Sequence, residues 1–258
     1  MSYQLREEDG YRYIDEGTGE VLVLLHGLMG ALSNWEPVVN RFSGNYRVII
    51  PVLPLYEMPL LTTGVKTLSK FLHKFVEHLK LNRFTLMGNS LGGHVALIYA
   101  LNHPEHIKSL VLTGSSGLYE NAMGASFPRR ESYDYIKEKV AYTFYDPAMA
   151  TKELVDEVFA TVNDRNRVIR ILAMAKSAIR HNMEKDLDKI SVPVSLIWGK
   201  NDKITPPDVA EEFHRLLPDS ELNWIDKCGH APMMEQPEEF NQHLDLFLRK
   251  VYSNGKVV

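Results

Sequence analysis

Apolar residues follow two rhythms along this chain. The short runs Tyr11 to Ile14, Val21 to His26, Tyr46 to Pro51, Phe84 to Met87 and Ser109 to Thr113 have the length and residue types of strands. Between them, Asn34 to Phe42, Leu68 to Leu79 and Leu91 to Leu101 repeat their apolar positions at helical spacing. Strand alternating with helix predicts an α/β protein with a mostly parallel twisted sheet and helices on both faces.

From about Tyr119 to about Asp188 the rhythm is helical throughout, with charged faces and no convincing strand. Asp146-Pro147 reads as a helix start, and Thr151-Lys152-Glu153 is a second candidate start. Alternation resumes with Val194 to Trp198, a helix opened by Pro206-Pro207 and running to about Leu217, the run Glu221 to Ile225, and a final helix from Pro237 to about Val251. The expected organisation is therefore a core domain of residues 1-118 and 189-258, interrupted by a helical insertion at 119-188. The tail from Ser253 to Val258 is expected to fray.

Composition narrows the partners. With 258 residues, 45% of them hydrophobic and 24% charged, the chain can bury a large core. Its net charge of -4 is spread without a long block of either sign, which argues against nucleic acid. The first residues lack the apolar core of a signal peptide, and the run Val21 to Leu25 is far too short to cross a bilayer. One cysteine, Cys228, cannot form an internal disulfide, so the expectation is a cytoplasmic protein without a membrane partner. A monomer and a homodimer fit the composition equally well.

Chemistry centres on "GNSLGGH", Gly88 to His94, at a predicted strand-to-helix junction. In isolation the pattern is weak, since Asn89-Ser90 could simply cap the helix that begins at Leu91. A nucleophile on a strained turn would need glycine at 88 and 92, because a β-carbon at either would strike the neighbouring helix or strand. The Leu91 amide, at a helix N-terminus, could then receive a developing negative charge. Serine needs a base, and the base an orienting carboxylate. "WGKNDKITP" puts Asp202 just after one strand, and "DKCGHAPMMEQPEEF" puts His230 in the loop after the next.

With Ser90, Asp202 and His230 in that order, the chain resembles the α/β-hydrolase fold superfamily over nearly its whole length. The resemblance implies a Ser-His-Asp triad and a second oxyanion donor on the amide of Leu28, in "LLHGLMG". It also implies supporting roles for His26 and Gly27, and a lid made by the insertion. The implied activity is hydrolysis of a small or medium ester, lactone or thioester, with an apolar or amphiphilic small molecule as substrate and no cofactor or metal.

Within that superfamily, "GNSLGGHVAL", "FYDPAMATKEL", "WGKND" and "KCGH" are similar to the carbon-carbon bond hydrolases of meta-cleavage products, as are Asn89 and Asn34. The cap arginine of that group falls near Val158, and Ala231 stands where an aromatic residue usually follows the histidine. Carboxylesterase therefore ranks first, with carbon-carbon hydrolase kept open should Arg129, Arg130, Arg167 or Arg170 reach the site. A slow-turnover ligand sensor on the same scaffold is a further alternative.

Several residues are assigned no chemistry. Histidines 73, 78, 103, 106, 181, 214 and 243 lack a metal-ligand spacing. His94 is expected to pack on its helix, Cys228 to sit buried as a small hydrophobe, and Glu235, Glu238 and Glu239 to be solvated charges near a helix start. In "IIPVLPLYEMPLLTTG", either the loop simply packs differently from the family pattern or Tyr56 or Met58 reaches the acyl chain. The methionines at 29, 58, 123, 174, 233 and 234 are candidates for an apolar pocket lining or for core filling.

Overall fold

A computed structural model describes residues 3–120 and 128–253. Met123 and residues 254–258 of the tail lie outside the described residues. Eight strands form one sheet: β1 (Arg6–Glu8), β2 (Tyr11–Glu16), β3 (Glu20–Leu25), β4 (Tyr46–Pro51), β5 (Phe84–Asn89), β6 (Ile107–Thr113), β7 (Val194–Gly199) and β8 (Ser220–Ile225). Their spatial order is β1-β2-β4-β3-β5-β6-β7-β8. The pairings of β1 with β2 and of β2 with β4 are antiparallel, and the other five are parallel.

Strand β3 shows why the central runs are almost continuously apolar. Leu22 and Leu24 join one buried cluster, whereas Val23 and Leu25 join another on the opposite face. Helices α2 (Val65–His78), α3 (Leu91–Asn102) and α7 (Pro207–Leu216) cover the face of Val23 and Leu25. Helix α1 (Glu36–Phe42), the short α8 (Pro232–Glu235) and α9 (Pro237–Ser253) cover the other through Val38, Phe42, Met233, Phe240 and Leu244. Each fully buried leucine or phenylalanine contributes about 1.5–3 kcal/mol by leaving water. Helix α3 is the exception to one-faced helices, because every residue from Leu91 to Ala100 is buried. The helix after the candidate serine therefore runs through the interior and gives the turn a rigid base.

Strand β1 was not expected. Its residues Arg6, Glu7 and Glu8 are all exposed, so no apolar rhythm announces it, and it exists by pairing along the edge of β2. Arg6 holds it there, donating to the buried Asp15 carboxylate, which Arg47 also grips through two hydrogen bonds.

Between β6 and β7 come α4 (Tyr133–Tyr142), α5 (Lys152–Asn163) and α6 (Arg165–Arg180), within the span read as an insertion. Each begins on a side-chain cap: Ser132 accepts from the Tyr135 amide, Thr151 from the Leu154 amide, and Asp164 from the amides of Asn166 and Arg167. Thr151 thus opens a full helix, while Asp146-Pro147 opens only the single 3-10 turn Pro147–Met149. Val140, Val155 and Val158 pack into the cluster of α1 and α9, and Met174 and Ala178 into the cluster of α2 and α3.

Candidate active site

Ser90 stands between the last residue of β5 and the first of α3, with φ 55° and ψ -120°. This is left-handed backbone that a non-glycine residue adopts only where its surroundings impose it. Here the Ser90 amide donates to Thr113 O, while the amides of Gly93, His94 and Ser116 all converge on the Ser90 carbonyl. The turn leaves no room for side chains. A β-carbon on Gly88 would lie 2.4 Å from the Gly92 carbonyl and the Gly93 nitrogen, and one on Gly92 would lie 2.3 Å from the Leu25 oxygen of β3. Since these obstacles are backbone atoms of the sheet and the buried helix, Gly92→Ala is expected to cost about 3 kcal/mol or more. Guanidinium unfolding would check this, and a loss under about 1 kcal/mol would show that the junction can relax.

Asp202 follows β7 and is buried, at 3% exposure. Its Oδ1 accepts from the amides of Ile204 (2.8 Å) and Thr205 (3.0 Å), and its Oδ2 from the Thr205 hydroxyl (2.8 Å) and His230 Nδ1 (2.9 Å). The carboxylate thus fixes the imidazole with Nδ1 as donor and leaves Nε2 for the cavity. Burial by itself would depress the His230 pKa, but the charge and hydrogen bond of Asp202 outweigh it and the net direction is upward from the ordinary value.

The His230 backbone is held as firmly as its ring. Its amide donates to Thr143 O, and its carbonyl accepts from Asn89 Nδ2, which also bonds Thr113 O. Asn89 therefore ties three elements together beside the serine. That structural duty explains the residue without any reference to substrate.

His26 and Gly27 end β3 opposite the serine. The buried His26 ring donates from Nδ1 to Gly27 O (2.9 Å) and accepts from the Leu53 amide at Nε2 (3.1 Å). Both nitrogens are committed, and burial pushes the pKa down, so the ring is neutral and buttresses the loop. A β-carbon on Gly27 would press on Ser90 Cβ at 3.3 Å, so glycine lets this loop approach Ser90. Leu28, Ser90, Leu91 and His230 line one cavity of about 180 Å³. Val140, Phe144 and Leu154 supply apolar walls from the insertion.

Other residues sit differently from expectation. Met29 and Met234 line the cavity, whereas Met58, Met174 and Met233 fill cores. Tyr56 lies under the Arg167 guanidinium (5.2 Å) in a separate hollow, and neither it nor Met58 lines the cavity of Ser90. None of the four arginines lines the cavity: Arg129 rests over Tyr135, Arg130 pairs with Glu131, and Arg170 donates to Met58 O. The cation in the wall is Lys139, which sequence reasoning missed.

Glu235 is not a solvated charge. Half-buried, it accepts from the amides of Gly229 (2.9 Å) and Tyr145 (2.7 Å), clamping the loop of His230 to the insertion. Cys228 is buried and its thiol pKa is pushed up, first by desolvation, which makes it unreactive. His94 packs as expected, bonding His181 Nδ1 at 3.0 Å.

Chain folding brings nitrogens of His73, His103 and His106 within 4.8 Å of one another, a grouping their spacing conceals. The rings of His73 and His103 are stacked, 3.9 Å apart and 7° from parallel.

The family model described as alpha/beta hydrolase fold matches residues 20–237. The chain belongs to that family and is an enzyme of the hydrolase class. It is 27% identical to monoacylglycerol lipase ABHD6 of Bos taurus, over 90% of this chain and 76% of that one. It is 29% identical to a 2-hydroxy-6-oxononadienedioate/2-hydroxy-6-oxononatrienedioate hydrolase of Burkholderia vietnamiensis, over 94% and 93%. Among solved structures it resembles MGS-MChE2, an alpha/beta hydrolase enzyme from the metagenome of sediments of the lagoon of Mar Chica. That match has 48% identity and a TM-score of 0.80, covering 96% of this chain and 98% of the other. No described helix is long and apolar enough to cross a membrane.

Proposed function

We propose that this enzyme hydrolyses small or medium carboxylic esters through a Ser90 acyl-enzyme. The observation carrying the reading is that Ser90 and His230 line one largely apolar cavity, with the buried Asp202 carboxylate holding the His230 ring from behind. His230 Nε2 takes the proton of Ser90, which attacks the ester carbonyl. The resulting oxyanion rests on the amides of Leu28 and Leu91. His230 returns the proton to the leaving alcohol, then activates a water that frees the acid. Asp202 holds the tautomer and stabilises the imidazolium.

Two positions favour esters over the carbon-carbon bond of an anionic dienoate. Val158 and Ala231 make the wall apolar where that chemistry calls for a cation and an aromatic ring. The likeness to the Burkholderia vietnamiensis hydrolase and the presence of Lys139 keep carbon-carbon cleavage as the second reading.

Mass spectrometry after fluorophosphonate treatment should find the adduct on Ser90, and acyl esters from acetate to octanoate should be turned over for many cycles. A single slow burst with product held on Ser90 would instead support a sensor. Because only neutral His230 can act as base and its pKa is raised, kcat/KM should fall as pH drops, with the inflection above about 6.5. An inflection at or below that value would contradict the coupling to Asp202.

A further inference from the structure

A second polar pair, Ser116 and Glu120, opens onto the same cavity beside the triad. The Ser116 amide donates to the Ser90 carbonyl at 3.1 Å, which places this segment against the nucleophile turn. The Ser116 hydroxyl donates to Glu120 Oε2, so the serine aims the carboxylate. Glu120 is half-buried and forms no ion pair among the described residues. Lys139, which lines the same cavity, places its ammonium over the Tyr135 ring, 5.6 Å from its centroid.

The segment's position decides which half of an ester it meets. Gly114, just after β6, adopts φ 51° and passes so close to His230 that a β-carbon there would lie 2.8 Å from Nδ1. The segment leading to Ser116 and Glu120 thus leaves β6 beside His230 and reaches the Ser90 carbonyl. The negative charge of Glu120 is also among those that raise the His230 pKa, after the larger effects of burial and Asp202. Since His230 hands its proton to the leaving oxygen, the alcohol half is the part of an ester that comes to the His230 side of the cavity.

We propose that Ser116 and Glu120 form a subsite for that alcohol half, accepting hydrogen bonds from hydroxyl-rich groups such as a glyceryl unit and repelling anionic ones. This inference rests on the ester-hydrolase reading. A carboxylate accepts hydrogen bonds and cannot donate them, so hydroxyl donors gain a charge-assisted partner while a second carboxylate meets like charge in a poorly hydrated wall.

The test compares kcat/KM for glyceryl monobutyrate, ethyl butyrate and the butyryl ester of glycolate, which share one acyl group. The wild-type enzyme should prefer them in that order. Glu120→Gln should cut the preference for glyceryl over ethyl by about tenfold and raise the glycolate ester against ethyl by a similar factor, the scale of one charge-assisted contact. Glu120→Asp, which keeps the charge but shortens its reach to Ser116, should retain the rejection of the glycolate ester and weaken the glyceryl preference. Should the glutamine variant not fold, the aspartate variant carries the test, and loss of its anion rejection would overturn the subsite. Turnover of all three esters with ratios unchanged in Glu120→Gln would overturn the subsite alone. Failure of the wild-type enzyme on every ester would overturn the hydrolase reading and the subsite with it.

Discussion

Ser90→Ala should lower kcat on a short-chain aryl ester by about 10⁴-fold or more while leaving the fold intact. The size of the effect follows from the lack of a substitute. Cys228 is buried with its thiol held protonated, Ser115 spends its hydroxyl on the Ser116 carbonyl, and Ser116 spends its own on Glu120. What would survive is the contribution of the amides of Leu28 and Leu91 and of binding, which in such triads still accelerates the reaction over water by about 10³. Stability should move by no more than about 0.5 kcal/mol. Alanine keeps the β-carbon, the Ser90 hydroxyl makes no hydrogen bond among the described residues, and the left-handed backbone is imposed by the amides gathered on its carbonyl. Steady-state kinetics with a melting curve separates the two quantities. Residual activity within tenfold of wild type at an unchanged midpoint would move the nucleophile elsewhere, whereas a collapsed midpoint would point to a structural role.

The parts of this molecule legible in its sequence are those whose cause is local. Strands β3 to β7 announce themselves because both faces of the sheet are covered, so their central residues are mostly apolar, whereas the half-buried edge strand β8 shows only in Leu222, Trp224 and Ile225. Gly88 in the Ser90 turn is legible because the clash it avoids lies four residues away, at Gly92, whereas the clash Gly92 avoids is with Leu25 of a neighbouring strand. Asp202 and His230 could be placed because each follows a recognisable strand. What escaped is what depends on partners distant in sequence. Glu235 resembles any acidic residue near a helix start until the fold sets Tyr145 and Gly229 beside it, and Glu120 gains meaning only when the Ser116 hydroxyl engages it on the cavity wall that His230 also lines. The loop after β4 left two readings open, different packing or a pocket wall, and its residues fit the first. Met58 is buried in the core, while Leu61 is fully exposed.

Asp202→Asn should be almost as damaging as loss of the nucleophile, with kcat reduced by about 10³ to 10⁴-fold at little cost in stability. The reason lies in which atom faces which. The amides of Ile204 and Thr205 both donate to Oδ1, so an asparagine here keeps its carbonyl oxygen on that side and turns its NH₂ toward Thr205 Oγ1 and His230 Nδ1. That NH₂ donates, so Nδ1 must accept. The ring proton then moves to Nε2, the nitrogen that has to receive the proton of Ser90. The side chain is nearly isosteric and Thr205 Oγ1 can accept in place of donating, so packing is preserved. The pH profile supplies a second readout. Removing the Asp202 charge leaves burial as the dominant influence on His230, so the inflection of the residual activity should shift to lower pH than in the wild type. A variant within tenfold of wild type, with its inflection unmoved, would mean that the 2.9 Å contact holds His230 in place without setting its tautomer.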